Sequence, residues 1–199
     1  VAPAAVAEEI LVDLRRRLRA TRRLVLPRSA GWERGTNAEF LAELTGYWAD
    51  SYDWRPHEQR IRALPWRAVG SPPGMVLHQP AAHGPAPAVV LLHGWPDSVL
   101  RFERLLPLLD DLDVVVPALP GFPFAPPLTE PRMSTTAMAG VLAAWMAELG
   151  YERYVVSGGD IGSSVAEALA AAHPERVTAM HLTEVTYRRL LAAAGEEGL

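Results

Sequence analysis

The chain of 199 residues contains no cysteine, which excludes disulfides and thiolate metal sites. It contains no lysine either. All 19 basic residues are arginine, and 23 acidic residues outnumber them, for a net charge of -4. No overall positive field is present to draw nucleic acid or acidic lipid. No apolar run approaches the length of a membrane span. The first residues, VAPAAVAEEILVDLRRRL, lack the charged-then-apolar order of a secretory leader. These absences lead to the expectation of a cytoplasmic protein with no nucleic-acid or membrane partner. What remains is an ordinary globular composition, 49% hydrophobic and 21% charged. The length suffices for one sizeable core or one domain with an extension.

The first third reads as helical. Over residues 8 to 23, Ile10, Leu11, Leu14, Leu18 and, further on, Leu24 fall near one stripe. Arg15, Arg16, Arg17, Arg19, Arg22 and Arg23 lie mostly outside it, as a solvated face rather than a nucleic-acid patch. Residues 37 to 52 form a second expected helix, capped by Asn37 or Thr36, with Phe40, Leu41, Leu44, Tyr47 and Trp48 apolar. A short helix is expected over 56 to 63. Trp32, Trp48, Trp54 and Trp66 read as packing residues.

The pattern then changes to alternating short strands and helices. A hairpin is expected over 66 to 69 and 75 to 78, around SPPG. AVVLL at 88 to 92 and DVVVP at 113 to 117 have the unbroken apolar character of strands buried on both faces. A helix is expected over 98 to 109, an irregular proline-rich loop over 117 to 131, and a helix over 134 to 149 between Ser134 and Gly150. A strand over 154 to 157, a helix over 162 to 172 and a strand over 177 to 182 complete the series. The expected fold is α/β: a mostly parallel sheet with helices on both faces, over residues 66 to 199, preceded by a helical extension over 1 to 65.

Two segments carry chemistry. In VVSGGDIGSS, at 155 to 164, a strand runs into Gly158, Gly159, Asp160, Ile161 and Gly162 and then into a helix. That is the pattern of a nucleophile elbow, a tight strand-to-helix turn that presents one side chain above the sheet. Glycines flank it because a Cβ would meet the neighbouring strand or helix. The presented side chain is a carboxylate, which suits attack on an alkyl carbon to give an ester that water later cleaves. A competing reading makes Asp160 a plain helix N-cap. The second segment is His93-Gly94-Trp95-Pro96, directly after AVVLL. A sharp turn there leaves backbone N–H groups free to act as oxyanion donors, the natural pair being those of Trp95 and Ile161. Alternatively it is only a strand-end turn.

The order HGWP, LPGFPFAPP at 119 to 127, then GGDIG resembles the epoxide hydrolases of the α/β-hydrolase fold. The front half adds to this. DLRRRLRATRR, GWERGT at 31 to 36, YWADSYDWR at 47 to 55 and ALPW at 63 to 66 resemble the N-terminal extension of the microsomal-type members. The resemblance implies a two-step hydrolysis with Asp160 as nucleophile, Trp95 and Ile161 as oxyanion donors, and Trp95 also lining the pocket. It implies a small-molecule epoxide substrate and neither a metal nor an organic cofactor, and it leaves a homodimer open. The family includes detoxifying members and others that tailor secondary metabolites.

There are departures. The family usually has small residues and a Ser or Thr where this chain has Pro123 and Ala125. Its epoxide-polarising tyrosines, acid and base would all fall after Leu199; the only later tyrosine is Tyr187. His173 and His181 are expected to be structural, so the 199-residue chain is expected to form an ester without turning over. Alternatives are a haloalkane dehalogenase, which usually wants a side-chain N–H donor where Ile161 stands, and a non-catalytic remnant. A serine hydrolase centred on Ser164 is weaker still, because Ser164 falls inside the helix.

Overall fold

The computed structural model describes residues 2–22, 31–33, 35–70, 72–128 and 133–183. Leu24, Arg23 and Tyr187 lie outside the described residues. Two compact units are present, Ala4–Ile61 and Arg62–Leu199 together with Val1–Pro3.

The smaller unit holds α1 (Glu8–Arg19), α2 (Ala38–Asp50) and most of α3 (Trp54–Arg62). Acidic Glu8 and Glu9 open α1 and Arg16, Arg17 and Arg19 close it, as the helix dipole favours. The helix stops at Arg19, four residues before the expected end, where the Ala20 N–H turns back to the Arg16 carbonyl and the Thr21 N–H to that of Leu18. Asn37 caps α2, its side chain accepting from the N–H groups of Glu39 and Phe40. Glu58 is buried and accepts from the Val6 N–H at 2.6 Å, the Trp54 Nε1–H at 3.2 Å and Arg55 at 2.8 Å. The Val6 N–H, then Arg55, hold its carboxyl below the usual range. The arginine face is already engaged: Arg15 pairs with Glu8, Arg16 and Arg17 with Asp13, and Arg19 with Asp50.

Two expectations are corrected in this unit. Ile10 is exposed, and Leu11 alone on α1 is fully buried. Trp32 and Trp48 are exposed rather than packed, along with Phe40, Leu41, Leu44 and Tyr47. The physical reason is that α2 is apolar on more sides than two short helices can cover.

The larger unit is a six-stranded sheet in the order β1-β2-β4-β3-β5-β6. Its strands are β1 (Trp66–Gly70), β2 (Pro73–Gln79), β3 (Ala88–Leu92), β4 (Asp113–Pro117), β5 (Tyr154–Gly158) and β6 (Val177–Leu182). The β1–β2 hairpin and the β2–β4 pair are antiparallel; β4, β3, β5 and β6 run parallel. The hairpin strands and the buried strands stand within two residues of where the patterning put them, and the proline loop does so as far as Leu128, beyond which residues 129–132 lie outside the described residues. The segment over 98 to 109 does not form one α-helix. It makes two short 3₁₀ turns, Val99–Phe102 and Leu106–Leu108, with Pro107 inside the second removing a backbone donor.

The chain steps one way along the sheet from β3 to β4, then the other way through α4 (Thr135–Glu148) to β5 and through α5 (Ile161–Ala172) to β6. Right-handed crossovers in opposite directions place the 3₁₀ turns on one face and both helices on the other. The core agrees: Val76, Val90, Leu92, Val115 and Val156 pack with Leu142, Trp145, Met146, Val165 and Leu169. The alternate residues Leu77, Leu91, Val114 and Val116 are buried as well, outside that cluster. Strands covered on both sides explain why AVVLL and DVVVP carry no polar alternation. β3 and β5 are neighbours whose outgoing connections run in opposite directions, and an α/β sheet opens a ligand crevice at such a point.

Candidate active site

At the end of β3 the ring of His93 is completely buried. Its Nε2 accepts the Leu119 N–H at 3.1 Å and its Nδ1–H donates to the Gly94 carbonyl at 3.2 Å. One nitrogen accepting and one donating fixes a neutral ring in a single tautomer, and burial pushes its pKa below the ordinary histidine value. The exits of β3 and β4 are thereby latched together. Gly94 follows, then exposed Trp95, joined to Pro96 by a cis peptide. The Trp95 N–H donates to Asp160 Oδ1 at 2.8 Å, so HGWP is more than a strand-end turn.

At the end of β5, Gly158 and the buried Gly159 lead into Asp160, whose φ of 54° and ψ of -124° lie where a residue with a Cβ is strained. Asp160 precedes α5 but its side chain makes no capping hydrogen bond, so the plain N-cap reading fails. The carboxylate turns instead toward the β3 exit. Close approach fixes the glycines. A Cβ on Gly94 would lie 2.5 Å from Asp160 Oδ1, and one on Gly162 would lie 2.5 Å and 2.6 Å from the carbonyl oxygens of Leu92 and His93. Gly158 meets the Gly162 backbone in the same way. Among the described residues, Asp160 Oδ2 and the N–H of half-buried Ile161 make no hydrogen bond.

Two residues escaped the sequence reading. Phe122, assigned to an irregular loop, sets its ring centroid 5.1 Å from that of His93 and 6.5 Å from that of Trp95. Ser163, read as an ordinary helix residue, is buried and donates through Oγ to the Asp160 carbonyl at 2.6 Å. Its signal was available as a small hydroxyl residue directly after Gly162. The loop departures lie nearby: Pro123 and Ala125 flank Phe124, which has a φ of 71° and packs on Trp66.

The histidines of the second half are not brought to Asp160. His173 stands at the far end of α5, about 18 Å along the helix at 1.5 Å per residue. His181, on β6, bonds through Nδ1 to Ser157 Oγ at 2.9 Å. Ser164 sits within α5. Among the described residues no group of His, Asp or Glu could hold a metal ion, and no helix is long and apolar enough to cross a membrane.

Residues 2–102 match the family model "Epoxide hydrolase N terminus", and residues 87–194 match that of the alpha/beta hydrolase fold. The chain belongs to the epoxide hydrolase family. It is 36% identical over 191 residues to a Stigmatella aurantiaca protein named "Putative epoxide hydrolase", covering 89% of this chain and 43% of that one. Juvenile hormone epoxide hydrolase from the silkworm Bombyx mori superposes with a TM-score of 0.82 at 25% identity, over 94% of this chain and 53% of the other. Aspergillus niger epoxide hydrolase gives 0.80 at 28% identity, over 93% and 52%. The chain thus spans about two fifths to one half of the length of these epoxide hydrolases. The resemblance read from the motifs is the family found.

Proposed function

We propose that Asp160 opens a small-molecule epoxide by forming an aspartyl ester, the first half of hydrolysis to a vicinal diol. The observation that carries this reading is the division of labour within one carboxylate. Oδ1 is held by the Trp95 N–H, while Oδ2 is free on an exposed, strained turn. A nucleophile held by one oxygen and aimed with the other needs little reorganisation to attack.

In the first step Oδ2 bonds to a ring carbon, the carbon–oxygen bond of the ring breaks, and the released alkoxide takes a proton from water. In the second, the hydroxide left by that proton transfer adds to the Asp160 carboxyl carbon and the negative charge falls on Oδ1. The N–H groups of Trp95 and Ile161 are the oxyanion donors for that charge. The bond to the alkyl oxygen then breaks, the departing alkoxide takes the proton of the new carboxyl group, and the diol leaves with the carboxylate restored. Trp95 and Phe122 give the site an apolar side suited to an uncharged substrate. A dehalogenase reading gains no support, because Ile161 offers no side-chain donor for a halide.

Intact-mass measurement after incubation with styrene oxide tests this. The reaction is an addition, so the chain gains the whole mass of the epoxide, at Asp160 and at one site only. Asp160→Asn should abolish the gain. Labelling that persists in Asp160→Asn overturns the assignment.

A further inference from the structure

Asp160 is the strained residue of the site, and something must hold it. Its carbonyl accepts two hydrogen bonds from the same residue, 3.1 Å from the Ser163 N–H and 2.6 Å from the Ser163 hydroxyl. The hydroxyl is buried, and Ser163 is 2% exposed. Serine hydroxyls in the first turn of a helix often bond back to a preceding carbonyl with no consequence beyond the helix itself. Here the carbonyl belongs to the peptide group that also carries the Ile161 N–H. In a planar trans peptide the C=O and N–H point in opposite directions. Fixing the carbonyl into the first turn of α5 therefore fixes the Ile161 N–H outward from the helix end.

We propose that Ser163 is a positioning residue: its hydroxyl locks the Asp160–Ile161 peptide plane, and through it both the strained backbone of Asp160 and the direction of the Ile161 N–H. The glycines support this division of tasks. Gly94 and Gly162 make room for the turn, because a Cβ at either would meet Asp160 or the β3 backbone. Room alone does not choose between two orientations of a peptide, and a second hydrogen bond to the Asp160 carbonyl does. Without the hydroxyl one donor remains, the longer backbone one, and a strained peptide held by one bond can rotate. This inference rests on the epoxide-opening reading of Asp160 for its chemistry but not for its geometry, and the two fail separately.

The test compares the full chain with Ser163→Ala, which removes the hydroxyl, and Ser163→Thr, which keeps it. The first readout is the NMR order parameter of the Ile161 amide. It should sit near 0.85 in the wild-type chain and in Ser163→Thr and fall toward about 0.6 in Ser163→Ala. The second is the rate of ester formation with styrene oxide, which should slow about tenfold in Ser163→Ala and recover to within about twofold in Ser163→Thr. A purely structural serine predicts that threonine and alanine differ only in melting temperature. An Ile161 amide equally rigid in all three chains overturns the proposal. So does an unchanged rate of ester formation in Ser163→Ala. If the wild-type chain forms no ester, the epoxide reading falls and the order parameters alone decide the positioning role.

Discussion

His93 and Leu119 are joined by a hydrogen bond 3.1 Å long, ring Nε2 to backbone N–H, that ties the exit of β3 to the exit of β4 directly beneath the candidate site. Only the neutral ring can make it, because a protonated Nε2 has no lone pair to offer.

Stability is therefore expected to depend on pH with a definite sign. Burial lowers the pKa of folded His93 below the ordinary value of 6.5, and that of His78, whose Nδ1 faces Arg67, is lowered for the same reason. Between the folded and unfolded values the unfolded chain binds more protons, so stability rises with pH through that window. The contribution is fully present above about 6.5 and is lost as the pH falls toward the folded values. Urea midpoints should drop on going from about pH 8 to about pH 5. The drop should be smaller in His93→Gln. An equal drop in both proteins would show that His93 is not the group responsible.

Alanine at Gly94 and at Gly162 should separate two kinds of crowding. At Gly94 the obstacle is the Asp160 side chain; at Gly162 it is the carbonyls of Leu92 and His93, which are backbone and cannot step aside. Gly94→Ala is expected to abolish ester formation at a stability cost of about 1 kcal/mol, and Gly162→Ala to cost about 3 kcal/mol. Gly140→Ala is the control. A Cβ there meets nothing within 4 Å inside α4, and the variant should gain about 0.5–1 kcal/mol. Denaturant titration of the three variants checks the order.

Asp160→Gly is expected to stabilise the fold while removing the proposed chemistry. The positive φ of 54° costs an aspartate of order 1 kcal/mol that a glycine does not incur. Part of that gain is offset by losing the hydrogen bond from the Trp95 N–H. A melting temperature at or above that of the wild type, with no ester formed, is the expected result. A clear fall in melting temperature would mean that the turn is not strained.

Tyr154→Phe should be neutral or stabilising by up to about 1 kcal/mol. Tyr154 is buried in the core and, among the described residues, its hydroxyl has no hydrogen-bond partner. Removing an unsatisfied buried hydroxyl takes away a desolvation cost without taking away a bond. Chemical denaturation of the variant measures this directly.

The sequence by itself determined the strands, the helix boundaries set by Ser134, Asn37 and Gly150, and the two turns, HGWP after β3 and GGDIG between β5 and α5. These are local signals: unbroken apolar runs, capping side chains, and glycines where a Cβ cannot fit. The tertiary structure decided the rest. A helix was expected over 98 to 109, but the turns stayed 3₁₀ around Pro107. The aromatic residues of α2 looked like core because the pattern gives a face and not the neighbour that covers it. The latch from His93 to Leu119 spans 26 positions, the Phe122 ring comes from a loop without periodicity, and the free Oδ2 of Asp160 depends on where the Trp95 N–H points. Each of these is a meeting of segments distant in the chain. Such meetings follow from the order of strands in the sheet, which no stretch of sequence states locally.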